Sequence, residues 1–131
     1  MNTLLKLKNA RKVVKLLGQA GPDSQILILY DLFTDHNVEA LAIAVSEVGA
    51  AIHLMQVEGS SYHGRQLSPI AAEAMKAADL VIGLTRANIA HTQARQEATR
   101  AGTGVIVLPE SHLPDFFLAE GWEADFVALR P

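Results

Sequence analysis

Apolar residues occur along this chain in short continuous runs, separated by longer segments of mixed character. Runs of about four to eight apolar residues bounded by turn residues are typical of strands that are buried on both faces. The segments between them contain strong helix formers and apolar residues at helical spacing. The predicted strands span residues 25–30, 51–57, 80–82 and 104–108, and the predicted helices span residues 4–17, 38–48, 70–78 and 91–101. The pattern therefore predicts alternating strands and helices.

The stretch from Asp79 to Gly102 shows this alternation most clearly. An apolar strand at residues 80–82 ends at Gly83, a polar loop follows, and helix formers fill residues 91–101. Gly102 stands where a helix C-cap is expected, and a new apolar run follows at once. Strand, helix and strand in this order form a βαβ unit, and such units build parallel sheets.

Several helix ends carry residues that suit caps. Ser68 and Pro69 place an N-cap and a first-turn proline before the third helix. We expect Asn37 to cap the second helix and Gly49 to close it.

The first helix is basic, since five lysines and arginines precede the first acidic residue, Asp23. These residues are Lys6, Lys8, Arg11, Lys12 and Lys15. A basic amphipathic helix can bind a membrane surface or act in targeting. The apolar residues between the lysines favour the other interpretation, in which the lysines form the solvated face of a packed helix.

Together these elements predict one α/β domain, a three-layer α/β/α sandwich around a Rossmann-like parallel sheet of four to five strands in the order 2-1-3-4. The domain spans residues 1–131, with an amphipathic helix in residues 1–22 and βα units in residues 25–131. A short helix is predicted at residues 111–120, and residues 126–129 predict the beginning of a fifth strand. The strand order places the topological switch between the first and third strands, where such folds bind ligands.

Composition narrows the functional classes. The chain has no cysteine, which excludes disulfides, thiolate metal sites and a cysteine nucleophile. No apolar run reaches membrane-spanning length and no secretory signal is present, so we expect a cytoplasmic protein without a membrane partner. The net charge of −3 and the scattered basic residues beyond the first helix argue against nucleic acid as a partner.

Nucleotide motifs are missing, because neither GxGxxG nor GxxxxGK[ST] occurs. A small anion remains a candidate ligand, since the predicted helix start near His91 would present backbone N–H groups to the switch point. Asp31 ends a buried strand there, and its alternatives are a helix cap or a salt bridge with Arg86. The candidate ligand-binding residues are Asp31, Arg86, Asn88, His91 and Thr92.

Histidines and carboxylates also follow the predicted strands. His36, His63, His91 and His112 lie in or beside loops after strands, with Asp31, Glu58 and Glu110 at the same predicted edge. These are ligand types for zinc and non-haem iron. No two of them share a compact metal motif, so isolated loop residues are the favoured interpretation and we expect no metal site within this chain. No nucleophile elbow of the GxSxG type occurs, and we assign no catalytic residue.

Four stretches carry a resemblance to a known family. They are Ile26-Leu27-Ile28-Leu29-Tyr30-Asp31, Glu47-Val48-Gly49-Ala50, Ala77-Ala78-Asp79-Leu80-Val81-Ile82 and His91-Thr92-x-Ala94-Arg95-x-x-Ala98-x-x-Ala101-Gly102-Thr103, the last followed by the run from Val105 to Pro109. Over about residues 5–130 the chain resembles the N-terminal domain of the superfamily of leucyl aminopeptidases (aminopeptidase T) and 2,5-dihydroxypyridine 5,6-dioxygenases.

The resemblance implies that the chain is either the N-terminal part of a longer protein, which we favour, or a shortened relative. Members of the superfamily hold a divalent metal (zinc, cobalt or iron) through ligands in their C-terminal part, and no residue here matches those ligands. The implied partners are a C-terminal catalytic domain or further copies of the protein. Whether the chain is part of an enzyme, a stand-alone module that binds a small anion, or a structural domain stays open from the sequence.

Overall fold

The described part of the chain forms one layered α/β unit. The computed structural model describes residues 3–14, 21–32, 34, 37–58, 66–85, 89–90, 92–108 and 128–129. The described helices are α1 (Thr3–Lys12), α2 (Val38–Glu47), α3 (Pro69–Ala77) and α4 (Gln93–Arg100), and the described strands are β1 (Gln25–Tyr30), β2 (Ala51–Gln56), β3 (Leu80–Gly83), β4 (Gly104–Val107) and β5 (Ala128–Leu129).

The strands form a single sheet in the order β2-β1-β3-β4-β5. Neighbours from β2 to β4 are parallel, so the predicted order 2-1-3-4 and the α/β class are confirmed. The described part of the fifth strand, Ala128–Leu129, runs antiparallel to β4 and not parallel to it. An antiparallel edge strand is common on otherwise parallel sheets, because its connection needs no crossover helix. The predicted short helix at residues 111–120 lies outside the described residues.

The central strands are buried on both faces, which explains their nearly continuous apolar sequences. Along β1, Ile26 and Ile28 join a core cluster with α1 and α2 on one face of the sheet. Leu27 and Leu29 join a second cluster with α3 and α4 on the opposite face. Because successive side chains of a strand point to opposite faces, one strand contributes to both cores. The sheet therefore lies between two helical layers, as a three-layer sandwich requires.

Helix α1 is amphipathic in its described part. Leu7 and Ala10 are buried in the first core cluster, while Lys8 and Arg11 are exposed. Arg11 forms a bidentate ion pair with Glu47 of α2, through contacts of 2.8 and 2.7 Å. Hydrogen bonding to the Glu47 carboxylate raises the pKa of the Arg11 guanidinium above its ordinary value. The exposed basic residues thus form the solvated face of a helix that packs on α2.

Most of the predicted helix ends are confirmed. The Ala71 N–H donates to Ser68 Oγ at 3.2 Å, and Pro69 is the first residue of α3. Gly49 and Gly102 adopt positive φ angles of 80° and 99° after α2 and α4, a conformation that favours glycine.

The predicted cap at Asn37 is wrong. Asn37 precedes α2 with φ −101° and ψ −6°, and its side chain makes no capping hydrogen bond. An N-cap side chain reaches the first turn from an extended backbone, whereas Asn37 already has a helical one. Its backbone N–H instead donates to the Thr34 carbonyl oxygen at 3.1 Å, which extends a turn into the helix.

Two residues join the strands at the amino end of the sheet, and we call Asp79 and Thr103 the amino-edge latch. Asp79 accepts a hydrogen bond from the Gln25 N–H through Oδ2 at 2.7 Å and from the Gly104 N–H through its carbonyl oxygen at 3.0 Å. The buried Thr103 hydroxyl lies 3.0 Å from the Met75 carbonyl oxygen and 2.9 Å from that of Ala78. The latch thereby ties β1, β4 and the end of α3 to one another.

None of the described helices has the length and apolar character that a bilayer-spanning segment needs.

We expect Thr103→Val to lower the free energy of unfolding by about 1–2 kcal/mol, because the carbonyl oxygens at the end of α3 lose the one hydroxyl proton that lies between them. Valine keeps the shape of threonine, so packing changes little. Thr99→Val is the matched control, since the Thr99 hydroxyl only accepts a bond from the Arg95 side chain. Urea denaturation of both variants measures the difference, and equal losses would contradict the role of the latch.

Candidate functional site

The strand order creates a crevice at the carboxyl ends of β1 and β3. The chain leaves β1 toward α2 on one face of the sheet and leaves β3 toward α4 on the other face. Neighbouring strands whose connections diverge in this way leave an opening between them. This is the topological switch that the sequence predicted between the first and third strands.

Asp31 lies at the base of this crevice. The Leu84 N–H donates to the Leu29 carbonyl oxygen at 2.8 Å, which continues the β1–β3 ladder beyond the last strand residue. Continued by two residues, the same register sets Asp31 level with Thr85. Both residues are buried, Asp31 being only 1% exposed. The sheet therefore brings a carboxylate and a hydroxyl residue together where its strand order reverses.

Asp31 is held in a tight turn with Thr34. The Asp31 N–H donates to Thr34 Oγ1 at 3.1 Å, and the Thr34 N–H donates to the Asp31 carbonyl oxygen at the same distance. The Thr34 hydroxyl also lies 3.3 Å from Asp31 Oδ1. This turn gives the carboxylate a local structural role, which the sequence alternatives of a helix cap or a salt bridge did not include. Arg86, the predicted salt-bridge partner, lies outside the described residues.

Two further buried polar residues, which were not among the candidate ligand-binding residues, lie in this region. Thr34 and Thr85 are 1% and 6% exposed, and each stands a few residues after a central strand. From the sequence, these two threonines could be recognised only by their position after an apolar strand, because they belong to no sequence motif. The described residues that follow β1 and β3 thus include one buried acidic residue, Asp31, and two buried threonines, Thr34 and Thr85.

Thr92 is the N-cap of α4. Its Oγ1 accepts a hydrogen bond from the Arg95 N–H at 3.2 Å and donates to the Ile89 carbonyl oxygen at 2.8 Å. The helix starts at Gln93, two residues after the predicted start at His91. A buried capping threonine is sufficient to explain this position without a ligand. His91 and Asn88, the neighbouring predicted ligand residues, lie outside the described residues.

Three of the first four backbone N–H groups of α4 have protein acceptors. The Gln93 N–H donates to Gln66 Oε1 at 3.0 Å, the Arg95 N–H donates to Thr92 Oγ1, and the Gln96 N–H donates to the Thr92 carbonyl oxygen at 3.2 Å. An anion at the start of α4 would compete with these oxygens. The N–H groups at the start of α4 therefore favour a closed helix end over a preformed anion site.

Arg95 fixes the end of the loop that leads into α4. Its Nε donates to the Ala90 carbonyl oxygen at 2.6 Å, and its Nη1 lies 3.2 Å from Thr99 Oγ1. The described loop end is thus held by the Arg95 side chain and by the Thr92 cap. Such anchoring gives a fixed position to the wall of the crevice.

One histidine, His53, lies in the described part of the chain, and the four histidines predicted to follow the strands do not. His36, His63, His91 and His112 lie outside the described residues, and His53 is an exposed residue of β2 whose Nε2 lies 2.9 Å from Gln25 Oε1. Within the part of the chain that the structure describes, no three His, Cys, Asp or Glu side chains are grouped so that they could hold a metal ion. The described residues therefore do not form a metal site.

A groove of about 480 Å³ lies elsewhere, between β2 and α3. It is lined by Gln25, Leu27, His53, Leu54, Met55, Ala74, Ala77 and Ala78. Apart from Gln25 and His53 its walls are apolar. Since it includes the first residue of β1, it does not coincide with the crevice at the carboxyl ends of the strands.

Gly83 permits the close packing of the loop on β3. A Cβ atom at this position would lie 2.8 Å from Ile89 Cδ1 and 3.2 Å from Ile89 Cγ1. Ile89 is buried in the cluster that faces α3 and α4. A glycine at the end of β3 therefore lets the crevice wall lie directly on the strand.

Comparison with known proteins identifies the fold and not the family. No protein-family model and no curated protein matches the chain. The solved structure of 2,5-dihydroxypyridine dioxygenase from Pseudomonas putida KT2440 is similar, with a TM-score of 0.72 and 16% sequence identity. The match covers 84% of this chain and 35% of the dioxygenase chain. This chain thus has the fold of about one third of a larger protein, and the relationship is distant.

Gly83→Ala is expected to lower the free energy of unfolding by about 1–3 kcal/mol, because the new methyl group overlaps the buried Ile89 side chain. Ile89→Val removes the nearest carbon atom and is expected to reduce that cost in the double variant. A double-mutant cycle by chemical denaturation measures this coupling. Additive effects of the two changes would show that the contact is not tight.

For Thr92 we expect the alanine variant to be less stable than the serine variant by about 1 kcal/mol, because only serine retains the capping oxygen. The two variants differ by this one atom, so the comparison separates the cap from methyl packing. Thermal and urea unfolding provide the measurement. Equal stability of Thr92→Ala and Thr92→Ser would show that the cap does not stabilise α4. Thr92 would then be a candidate ligand residue with no structural role.

Proposed function

We propose that this chain is the N-terminal α/β domain of a larger metal-dependent enzyme related to 2,5-dihydroxypyridine dioxygenases and aminopeptidases. By itself the domain is not catalytic; it supports the substrate cleft and oligomer contacts of the whole enzyme. The observation that carries the proposal is the match of 84% of this chain to 35% of a dioxygenase chain with a TM-score of 0.72. The four stretches that resemble the superfamily support the same assignment.

The resemblance to the superfamily underlies the non-catalytic role that we propose for this domain. Metal chemistry in such enzymes needs several histidine or carboxylate ligands around one ion. Among the residues that the structure describes there is no such group. We assign the metal to the part of the enzyme beyond this domain, because members of the superfamily hold their metal ligands in the C-terminal part.

The crevice between β1 and β3 is the surface that we assign to the substrate cleft. It lies at the carboxyl edge of the sheet, where α/β folds present their binding residues. Asp31 and Thr85 are buried beneath this edge, and the Thr92 hydroxyl is bonded to the carbonyl oxygen of the buried Ile89 beside it. Anchoring by Arg95 keeps this part of the chain in place. A rigid wall of this kind positions a substrate without reacting with it.

A stand-alone module that binds a small anion is the second candidate function. Its ligand residues would be Asp31, Arg86, Asn88, His91 and Thr92. The hydrogen bonds at the start of α4 weigh against it, since protein oxygens occupy the Gln93 and Arg95 N–H groups. The buried carboxylate of Asp31 also disfavours an anion nearby, because like charges repel. We therefore rank this function below the first.

The intact mass of the native product in its source cell tests the proposal. We expect a mass far above the 14.1 kDa of this chain, because the catalytic part must be joined to the domain. Mass spectrometry of the product captured with an antibody to the domain gives the answer directly.

A native mass of 14.1 kDa would overturn the fragment interpretation. The anion module would then be tested by titration with inorganic phosphate, followed through the backbone amide signals of Gln93 and Arg95. Displacement of Gln66 by phosphate would shift the Gln93 signal, and Gln66→Ala serves as the reference in which that N–H has already lost its acceptor. Unchanged signals would exclude binding at the start of α4.

A further inference from the structure

Strand β2 is the outer strand of the described sheet on the side opposite β5. It pairs with β1 along one edge, and no described strand pairs with its other edge. Exposed edge strands usually carry charges, proline or a bulge that prevent pairing with another chain. The sequence of β2, AIHLMQ, contains no charged residue, no proline and no glycine. This edge is therefore chemically open to a further strand.

The hydrogen bonds to β1 show which groups of β2 turn outward. The Ala51 N–H donates to the Ser24 carbonyl oxygen at 3.0 Å, and the Val57 N–H donates to the Tyr30 carbonyl oxygen at 2.8 Å. Since backbone groups alternate in direction along a strand, odd-numbered residues face β1. The N–H and C=O groups of Ile52, Leu54 and Gln56 therefore point to the outer edge.

The apolar side chains of β2 favour contact with another polypeptide over contact with water. Leu54 is 50% exposed, although it lies in the middle of a strand and not in a loop. On the opposite face, the apolar groove between β2 and α3 runs beside His53 and Met55. Apolar surface on both faces of an unprotected edge is typical of a surface that another polypeptide covers.

We propose that β2 pairs antiparallel with β2 of a second copy of this chain, about a two-fold axis at Leu54. In this register Leu54 lies opposite the partner's Leu54, and Ile52 lies opposite the partner's Gln56. Every outward N–H and C=O group of Ile52, Leu54 and Gln56 then forms a hydrogen bond with the partner strand. The two sheets become one continuous sheet across the axis.

The choice of register follows from this hydrogen-bond pairing. Opposed residues of an antiparallel pair must share a face, so the axis lies at a residue, and the central candidates are His53, Leu54 and Met55. An axis at Met55 leaves Ile52 opposite the partner's Glu58, which follows the strand. An axis at His53 opposes Ile52 to the partner's Leu54 and leaves Gln56 opposite the partner's Ala50, which precedes the strand. Only the axis at Leu54 pairs all outward groups within the strand itself.

A second copy fits this edge better than a charged partner strand does. Self-pairing about a two-fold axis places the residue at the axis opposite its own copy, so a charged residue at that position would face a like charge. Strand β2 has none, and the residue at the axis is apolar. His53 would lie beside the partner's Met55, where a sulfur–aromatic contact is favourable.

This inference refines the oligomer contacts of the proposed function, but its test is independent of the native mass. The experiments use the native-length product, whatever its mass. The protein has no cysteine in residues 1–131, so Leu54→Cys introduces a single thiol there. The Cα atoms of a hydrogen-bonded antiparallel pair lie about 5.5 Å apart. That distance falls within the range of about 4.4–6.8 Å that a disulfide can bridge.

Under mild oxidation we expect Leu54→Cys to become covalently dimeric, as judged by non-reducing electrophoresis. Leu32→Cys is the matched control, since Leu32 is 68% exposed but lies after β1, away from the outer edge of β2. We expect it to remain largely monomeric in the same gel. Equal cross-linking of the two variants, or none at position 54, would overturn the proposal.

Sedimentation velocity supplies the second measurement. We expect the wild-type protein to show a concentration-dependent dimer that Leu54→Lys abolishes and Leu32→Lys leaves intact, because only position 54 sets two ammonium groups face to face at the axis. Circular dichroism confirms that both variants fold. A wild-type monomer at all concentrations, or a dimer that survives Leu54→Lys, would overturn the proposal, and another strand or partner would then be sought for this edge.

Discussion

Burial of β1 and β3 on both faces is the constraint on which the rest of the structure depends. A strand with apolar residues at every position can be stable only if helices cover both of its sides. The helices α1 and α2 cover one side, and α3 and α4 cover the other. Because the connections from β1 and β3 must reach opposite layers, the crevice between them is a direct result of the same burial. The core thereby places the candidate site.

Those parts of the fold that depend on local chemistry could be predicted from the sequence. The helix ends were predicted correctly at Ser68 with Pro69, and at Gly49 and Gly102, which have positive φ. Each of these residues acts within one turn of the chain, so the sequence pattern was sufficient to predict them. Asn37 failed as a predicted cap, because its backbone is set by the preceding turn at Thr34. The direction of β5 depends on pairing with β4, a contact distant in sequence that no periodicity reports.

The candidate site was predictable in position and less so in chemistry. Asp31 and Thr92 could be selected because they follow strands or begin a helix, but their roles came from neighbours that only the fold supplies. Thr34 engages Asp31, and Gln66 reaches the start of α4 from a distant segment. Side chains that arrive from elsewhere decide whether a helix start is open or closed, and single-sequence reasoning does not see them. Arg86, Asn88 and His91 stay predictions.

The amino-edge latch lies at the edge of the sheet opposite the loops that differ most easily between proteins of this architecture. Asp79 and Thr103 tie the strand starts together at the edge of the sheet remote from the crevice. These hydrogen bonds thus lie at one end of the strands and the candidate site lies at the other. Loops at the carboxyl edge can therefore be exchanged for segments of different length and specificity while the scaffold persists. A domain built in this way is suited to loop grafting, and to divergence in which function changes faster than fold.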